Sequence, residues 1–361
     1  MHPTARRLAA LAVPALATAG ALLPAAHGAA ASPLSSVSTA TAVSTATAAA
    51  PKPVAVHEAA DTKTEQRTVT KYWTLAKMED AEPLDAPTTD ARRFASTAAV
   101  LDAPEAKPAA VAPTLSADAV AGSATASSKS NGAAWTGGGA IVKTAGRVFF
   151  TVTAGSDAGR NASCSGTAVT SANKSVVITA GHCVKLNGAF HSNWVFVPGY
   201  DKGARPEGTW PATNLLTTPQ WNSGENMNFD VAAAVVAPQN GQSLTDVVGG
   251  QGVAFNQQRG RQMYSFGYPA GAPYDGSKLV YCSGRAFDDY LSSDDQGLNC
   301  TMTGGSSGGP WFVNFNERTG TGLVNSVNSF KYNFASFWMF GPYFGPEAEA
   351  VYNAAQNTSL T

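Results

Sequence analysis

The strongest constraint on this chain is where its glycines and aromatic residues lie. Only three of the 35 glycines (Gly20, Gly28, Gly122) and three aromatic residues (Tyr72, Trp73, Phe94) fall within residues 1–131. Nearly everything needed for tight turns and a large apolar core therefore sits in residues 132–361. A stretch of that size is ample for one sizeable core, so one folded domain is expected there, behind a long leader. The leader is rich in Ala, Thr, Ser and Pro. It lacks the material for a core of its own and is expected to be largely disordered.

Residues 1–28 read as a secretory signal. Arg6 and Arg7 form the positive end, residues 8–26 an apolar stretch, and Ala26, Gly28 and Ala30 supply small residues to frame a cleavage site. Pro14, Pro24 and the dominance of weakly hydrophobic Ala argue against a membrane span. Two arginines alone do not make a twin-arginine signal. Residues 29–131 then form a low-complexity propeptide or linker. Within them, Arg67-Thr-Val-Thr-Lys-Tyr-Trp-Thr-Leu-Ala-Lys-Met78 has mixed character, and its Val69, Trp73 and Leu75 could pack on a folded domain. The 24 Lys+Arg against 25 Asp+Glu leave no cationic excess, which argues against a nucleic-acid partner. With no long apolar run after the signal, the mature chain is expected to be secreted, free of the membrane and, by default, monomeric.

All four cysteines lie in the domain: Cys164, Cys183, Cys282 and Cys300. An even number in a secreted chain points to disulfides, and four allow three connectivities. The local pairs Cys164–Cys183 and Cys282–Cys300 are the expected ones, each worth on the order of 3 kcal/mol in the chain-entropy picture. No spacing is the short C-x-x-C of a zinc ligand set, and no metal or cofactor is expected. Short β-rich runs punctuated by Gly, Pro, Asn and Ser cover residues 147–153, 165–170, 175–179, 193–197, 230–236, 252–255, 263–268, 278–284, 310–315 and 322–327. Strands at this spacing predict an all-β barrel or sandwich. Helix composition occurs in the domain only near its end, in Pro346–Gln356.

Three motifs could carry chemistry. His182 ends Val176-Val-Ile-Thr-Ala-Gly-His-Cys183, at a strand end beside a half-cystine, where an imidazole is well framed as a general base. His191, in an Asn/Gly/Ser loop, reads as a surface residue. Thr303-Gly-Gly-Ser-Ser-Gly-Gly-Pro310 sets two serines among four glycines. Such a turn reaches φ > 0 conformations and can aim consecutive N–H groups into one cavity around a nucleophilic serine. A flexible linker is the alternative, but the apolar run Pro310-Trp-Phe-Val313 follows at once. Asp230 precedes the apolar run 231–236; a desolvated carboxylate there needs a partner, and an imidazole N–H suits it. Asp201, in a Gly- and Lys-containing turn, is the weaker rival.

The order His, Asp, Ser is one of those known for the serine-hydrolase triad. On Thr179-Ala-Gly-His-Cys183, Asp230 and Gly305-Ser-Ser-Gly-Gly-Pro310, the sequence resembles the chymotrypsin-like (trypsin-like) serine peptidases. The leader, through Tyr72-Trp-Thr and Met78, is similar to that of secreted actinobacterial members. The resemblance covers about Gly132 to the C-terminus. It implies two six-stranded antiparallel β-barrels with the site between them and a polypeptide substrate. In the implied roles Ser307 is the nucleophile, His182 the general base and then acid, and Asp230 the group orienting the imidazole. Backbone N–H groups of Gly305 and Ser307 would hold the oxyanion, and Cys164–Cys183 matches the family's disulfide beside the histidine.

The sequence departs from the family at two places. Trypsin-type specificity implies a carboxylate about six residues before the nucleophile, where this chain has Thr301, followed by Met302. The opposite pocket wall is expected from Ser326, Val327 and Asn328. None is acidic, so cleavage after Lys or Arg is not expected. A glutamyl preference through hydroxyls such as Thr301 stays open. An acidic cluster, Asp288, Asp289, Asp294 and Asp295, reads as a solvated loop before a cation site. Two other functions compete: a catalytically inactive peptidase-like binding module, and a serine esterase. The triad residue types are all present, which weighs against the first; no G-x-S-x-G elbow or strand–helix alternation is present, which weighs against the second.

The second departure yields a prediction. Animal digestive members carry Asp at the position of Ser306, and that Asp pairs with a freshly cut N-terminal ammonium; Ser306 cannot. Activity of the mature domain is therefore expected to survive a short N-terminal extension, and loss of activity on extension, measured against a peptide substrate, would refute this.

Overall fold

The computed structural model describes residues 53–84, 88–89, 106–114 and 129–360. The expected secretion signal and much of the leader lie outside the described residues.

The first half of the domain is a closed barrel. Strands Ala145–Thr151, Asn161–Val169, Val176–Thr179, Ala232–Val236, Trp210–Thr217 and Ser192–Pro198 pair antiparallel in that order, and the last pairs back to the first. Closure removes free edges, and the runs are apolar enough to bury both faces: Val148, Phe149 and Phe150 are all fully buried. Trp210–Thr217 is the strand of this barrel that the sequence pattern misses, because Pro211 and Asn214 break its alternation.

The second half is organised as two sheets. One contains, in order, Gly252–Phe255, Thr321–Val327, Pro310–Asn316, Gln262–Gly267, Val280–Arg285 and Ser130–Ala134; the other joins Phe287–Asp288, Gln296–Asn299 and Trp338–Gly341. The Cys282–Cys300 disulfide spans them, with Cα atoms 5.4 Å apart, next to Met263, Met302, Trp311 and Met339 in a second core. Gly252–Phe255 runs parallel to its neighbour, so not every pairing is antiparallel. The terminal helix Pro346–Gln356 buries Ala348, Val351, Tyr352 and Ala355, and its Tyr352 hydroxyl donates to the Thr170 carbonyl. No helix among the described residues is long and apolar enough to cross a membrane.

Part of the leader is built onto the domain. Ala55–Glu58 adds an antiparallel strand beside Trp210–Thr217. Helix Lys63–Tyr72 follows, opened by a Thr62/Glu65 capping box, and then the short helix Leu75–Glu79. Trp73 (1% exposed) packs its ring 5.5 Å from Phe149 and donates from Nε1 to the Asn193 carbonyl, and Met78 is also buried. Leu75, expected to pack, stays 45% exposed. The segment of mixed composition thus covers apolar surface, as do the leader residues Ala60, Ala81 and Leu84 outside it. Trp73→Ala is expected to weaken leader docking by about 3–5 kcal/mol, read as faster proteolytic trimming of the leader in the full chain.

Candidate active site

Strand register brings His182 and Asp230 together. Thr179 ends one strand and pairs with Ala232, which begins its antiparallel neighbour. His182 lies three residues beyond the first, in the 3₁₀ turn Gly181–Cys183, and Asp230 two residues before the second. The Cys164–Cys183 disulfide, Cα atoms 6.2 Å apart, pins that turn to strand Asn161–Val169.

Asp230 is fully buried and accepts three hydrogen bonds. Oδ2 lies 2.7 Å from His182 Nδ1, Oδ1 receives the His182 backbone N–H at 2.8 Å, and the Ser329 hydroxyl donates to Oδ2 at 2.5 Å. A buried carboxylate requires such partners. They also fix the imidazole, with the proton on Nδ1 and the lone pair on Nε2. Ser307, on the loop before strand Pro310–Asn316, is 1% exposed. Its Oγ and the Nε2 of His182 are both buried without a hydrogen-bond partner.

The serine loop is locked against the first barrel. Ser165 N–H donates to the Ser307 carbonyl at 2.7 Å, and Ser165 Oγ to the Gly305 carbonyl at 2.9 Å. Gly308 has φ +76°, and a Cβ there would collide with Thr179 Oγ1 and the Ser165 carbonyl. Gly305 has φ +88°. Its N–H donates to the carbonyl of Leu84, a leader residue, at 3.2 Å; among the described residues no hydrogen bond uses the Ser307 N–H. Leu84 N–H in turn donates to the Ser163 carbonyl, and further on Thr88–Thr89 pairs with Lys331–Tyr332. Ser306 Oγ donates to the Thr303 carbonyl at 2.7 Å, a local bond that holds the loop without a distant ammonium.

The residues expected to line the pocket make structural contacts. Asn328 uses its whole amide inside the second half, donating to the Ser306 and Phe266 carbonyls and accepting from Ser265 Oγ and Trp311 Nε1. Ser326 donates to the Pro342 carbonyl, Val327 and Met302 are core residues, and the Thr301 hydroxyl bonds Asn131 and Tyr274. Ser329, three residues beyond Ser326, is the one that meets Asp230.

His191 is corrected from a surface residue to a buried one. It stacks on Phe150 with centroids 4.3 Å apart, and its Nε2 donates to the His182 carbonyl at 3.0 Å. The acidic loop is also only partly solvated: Asp289 and Asp295 are buried. Asp289 accepts from Leu291 N–H, Ser293 and Tyr332, and Asp288 pairs with Arg259. Burial first, then the charge of Asp230, holds the Asp295 carboxyl well above the usual range. Asp201 lies in an exposed turn. Cys164, His182 and Cys183 cluster closely enough for a metal, but the two sulfurs are joined as a disulfide and offer no thiolate.

Solved structures that resemble this one include two proteases. Protease Anisep from Arthrobacter nicotinovorans is 45% identical, with TM-score 0.58, covering 63% of this chain and 100% of that one. The thermostable serine protease AL20 from an extremophilic microorganism is 41% identical, with TM-score 0.57, covering 61% of this chain and 100% of that one. No protein-family model and no curated protein matches the chain.

Burial pushes the His191 imidazole down from 6.5 to about 4. Between those values the unfolded chain binds the proton more readily, so stability falls as pH drops from about 6.5 toward 4, by about 3 kcal/mol in all. His191→Gln is expected to flatten that slope, as read from urea midpoints across the pH range.

Proposed function

The chain belongs to the chymotrypsin-like serine peptidases, and from that membership we propose that it is a secreted serine endopeptidase whose triad is His182, Asp230 and Ser307. The observation that carries this reading is the Asp230 carboxylate, buried and bonded to His182 Nδ1, with His182 Nε2 and Ser307 Oγ left free of structural hydrogen bonds. Ser307 Oγ attacks the scissile carbonyl while His182 Nε2 takes its proton; Asp230 stabilises the imidazolium. The N–H groups of Gly305 and Ser307 hold the oxyanion. His182 then protonates the leaving amine, and water, activated by the same imidazole, hydrolyses the acyl-enzyme. This proton and acyl bookkeeping closes without a metal or organic cofactor.

The leader acts as a propeptide in this reading. Its Leu84 carbonyl occupies the Gly305 N–H that an oxyanion would need, so the enzyme is restrained until the leader is cut away. Two disulfides are in keeping with an oxidising, extracellular location.

A fluorophosphonate probe is expected to label the processed protein at Ser307, and a peptide-library digest to show internal cleavage. Ser307→Ala should lower kcat by about 10⁶, and Asp230→Asn by about 10⁴ through the wrong imidazole tautomer. No labelling would favour an inactive binding module. Labelling with ester but no peptide hydrolysis would favour an esterase.

A further inference from the structure

Lys331 is a part-buried cation held against the segment that leads into the serine loop, and among the described residues no acid answers it. It follows Ser329 by two residues and opens strand Lys331–Tyr332. Its Nζ donates to the Cys300 carbonyl at 2.8 Å and to the Ser336 carbonyl at 2.5 Å. Cys300 begins the segment that runs through Thr301-Met-Thr-Gly304 into the serine loop. The ammonium therefore bridges the segment leading to Ser307 and the segment that follows the Ser329–Asp230 bond. Its two acceptors are neutral, and among the described residues no carboxylate pairs with it. Asp289, bound by the neighbouring Tyr332, already accepts from three donors. Burial lowers the amine to about 8, so it is still mostly charged at neutral pH. An ammonium has three donors, so one N–H remains for a ligand.

The leader shows that a peptide reaches this place. Leu84 presents its carbonyl to Gly305, and four residues later Thr88 pairs with Lys331 itself. Leu84 and Thr88 are four residues apart, a span of at most about 14 Å, so the leader's backbone passes from the Gly305 N–H to the strand that Lys331 opens. A partly desolvated cation with neutral neighbours gains most from a ligand that brings the missing negative charge. A cationic side chain there would be repelled.

We propose that Lys331 is the specificity-determining residue of this peptidase and selects substrates with a carboxylate side chain on the residue that supplies the scissile carbonyl. The assignment rests on the endopeptidase reading, and it moves acid recognition from the Thr301 hydroxyl, which is tied to Asn131, to an ammonium. Thr301 keeps a structural role, and the Cys300 and Ser336 carbonyls hold the amine in place.

The test uses the full chain after its own processing, with active sites counted by fluorophosphonate labelling. Paired peptides identical except for Glu or Gln at the cleaved residue, with Asp and Lys versions beside them, are compared by kcat/KM at pH 7. A preference for Glu over Gln of at least about tenfold is expected, the scale of a charge-assisted hydrogen bond. Lys331→Met should bring the Glu/Gln ratio to near one in protein that still takes the label, and Lys331→Arg should keep part of it. Equal cleavage of Glu and Gln peptides by the wild type, or an undiminished ratio in labelled Lys331→Met, would overturn the assignment. Wild-type protein that neither labels nor cleaves any peptide overturns the endopeptidase reading instead.

Discussion

The buried carboxylate of Asp230 is the group around which the site is organised. Fully desolvated, it must be answered on every side. The answers come from both halves of the domain: the backbone and ring of His182 from the first barrel, and the Ser329 hydroxyl from the second half. One charge therefore orients the imidazole and cross-links the segments that line the cleft. Removing any one of the three donors would leave a buried acceptor unpaired, a cost of about 1–3 kcal/mol. Burial first, and then the charge of Asp230, raises the carboxyl of Asp295 well above its ordinary range.

The serine loop shows the same logic carried by neutral groups. Where a related enzyme would use an ion pair, Ser306 caps the loop locally and Asn328 supports its backbone from beneath with a fully bonded amide. Gly308 allows the loop to press against Ser165 and Thr179 of the first barrel, where any side chain would collide. The position of Ser307, the proposed nucleophile, thus depends on close backbone contact between the two halves. Gly305, at positive φ, aims its N–H toward the leader.

The leader and the cleft explain each other. A segment poor in apolar residues cannot fold alone, yet Trp73 and Met78 find buried sites on the barrel, and the extended chain beyond them borrows hydrogen bonds from Ser163, Gly305 and Lys331–Tyr332. In the proposed reading the Gly305 N–H would also receive the oxyanion of a substrate, which gives the leader's docking a functional sense beyond stability. Lys331 adds to this edge a charge that the leader's described residues do not neutralise.

Much of this was legible in the residues themselves. The glycine and aromatic imbalance marked the domain, the strand-rich pattern gave its class, and local motifs singled out His182, Asp230 and Ser307, because each sits in a short segment whose composition states what its backbone can do. The strand Trp210–Thr217, the burial of His191, the Ser329–Asp230 bond and the place of Lys331 carry no such local mark. Each depends on which distant segments pair and in what register. A shift of three residues along one segment separates Ser326, bonded to the Pro342 carbonyl, from Ser329, bonded to Asp230. The sequence by itself determined which residue types were available for the chemistry and where the turn-forming and core-forming residues are concentrated. Only the tertiary structure decided which of them share one desolvated space, because burial and hydrogen bonding are set by contacts between segments far apart in the chain.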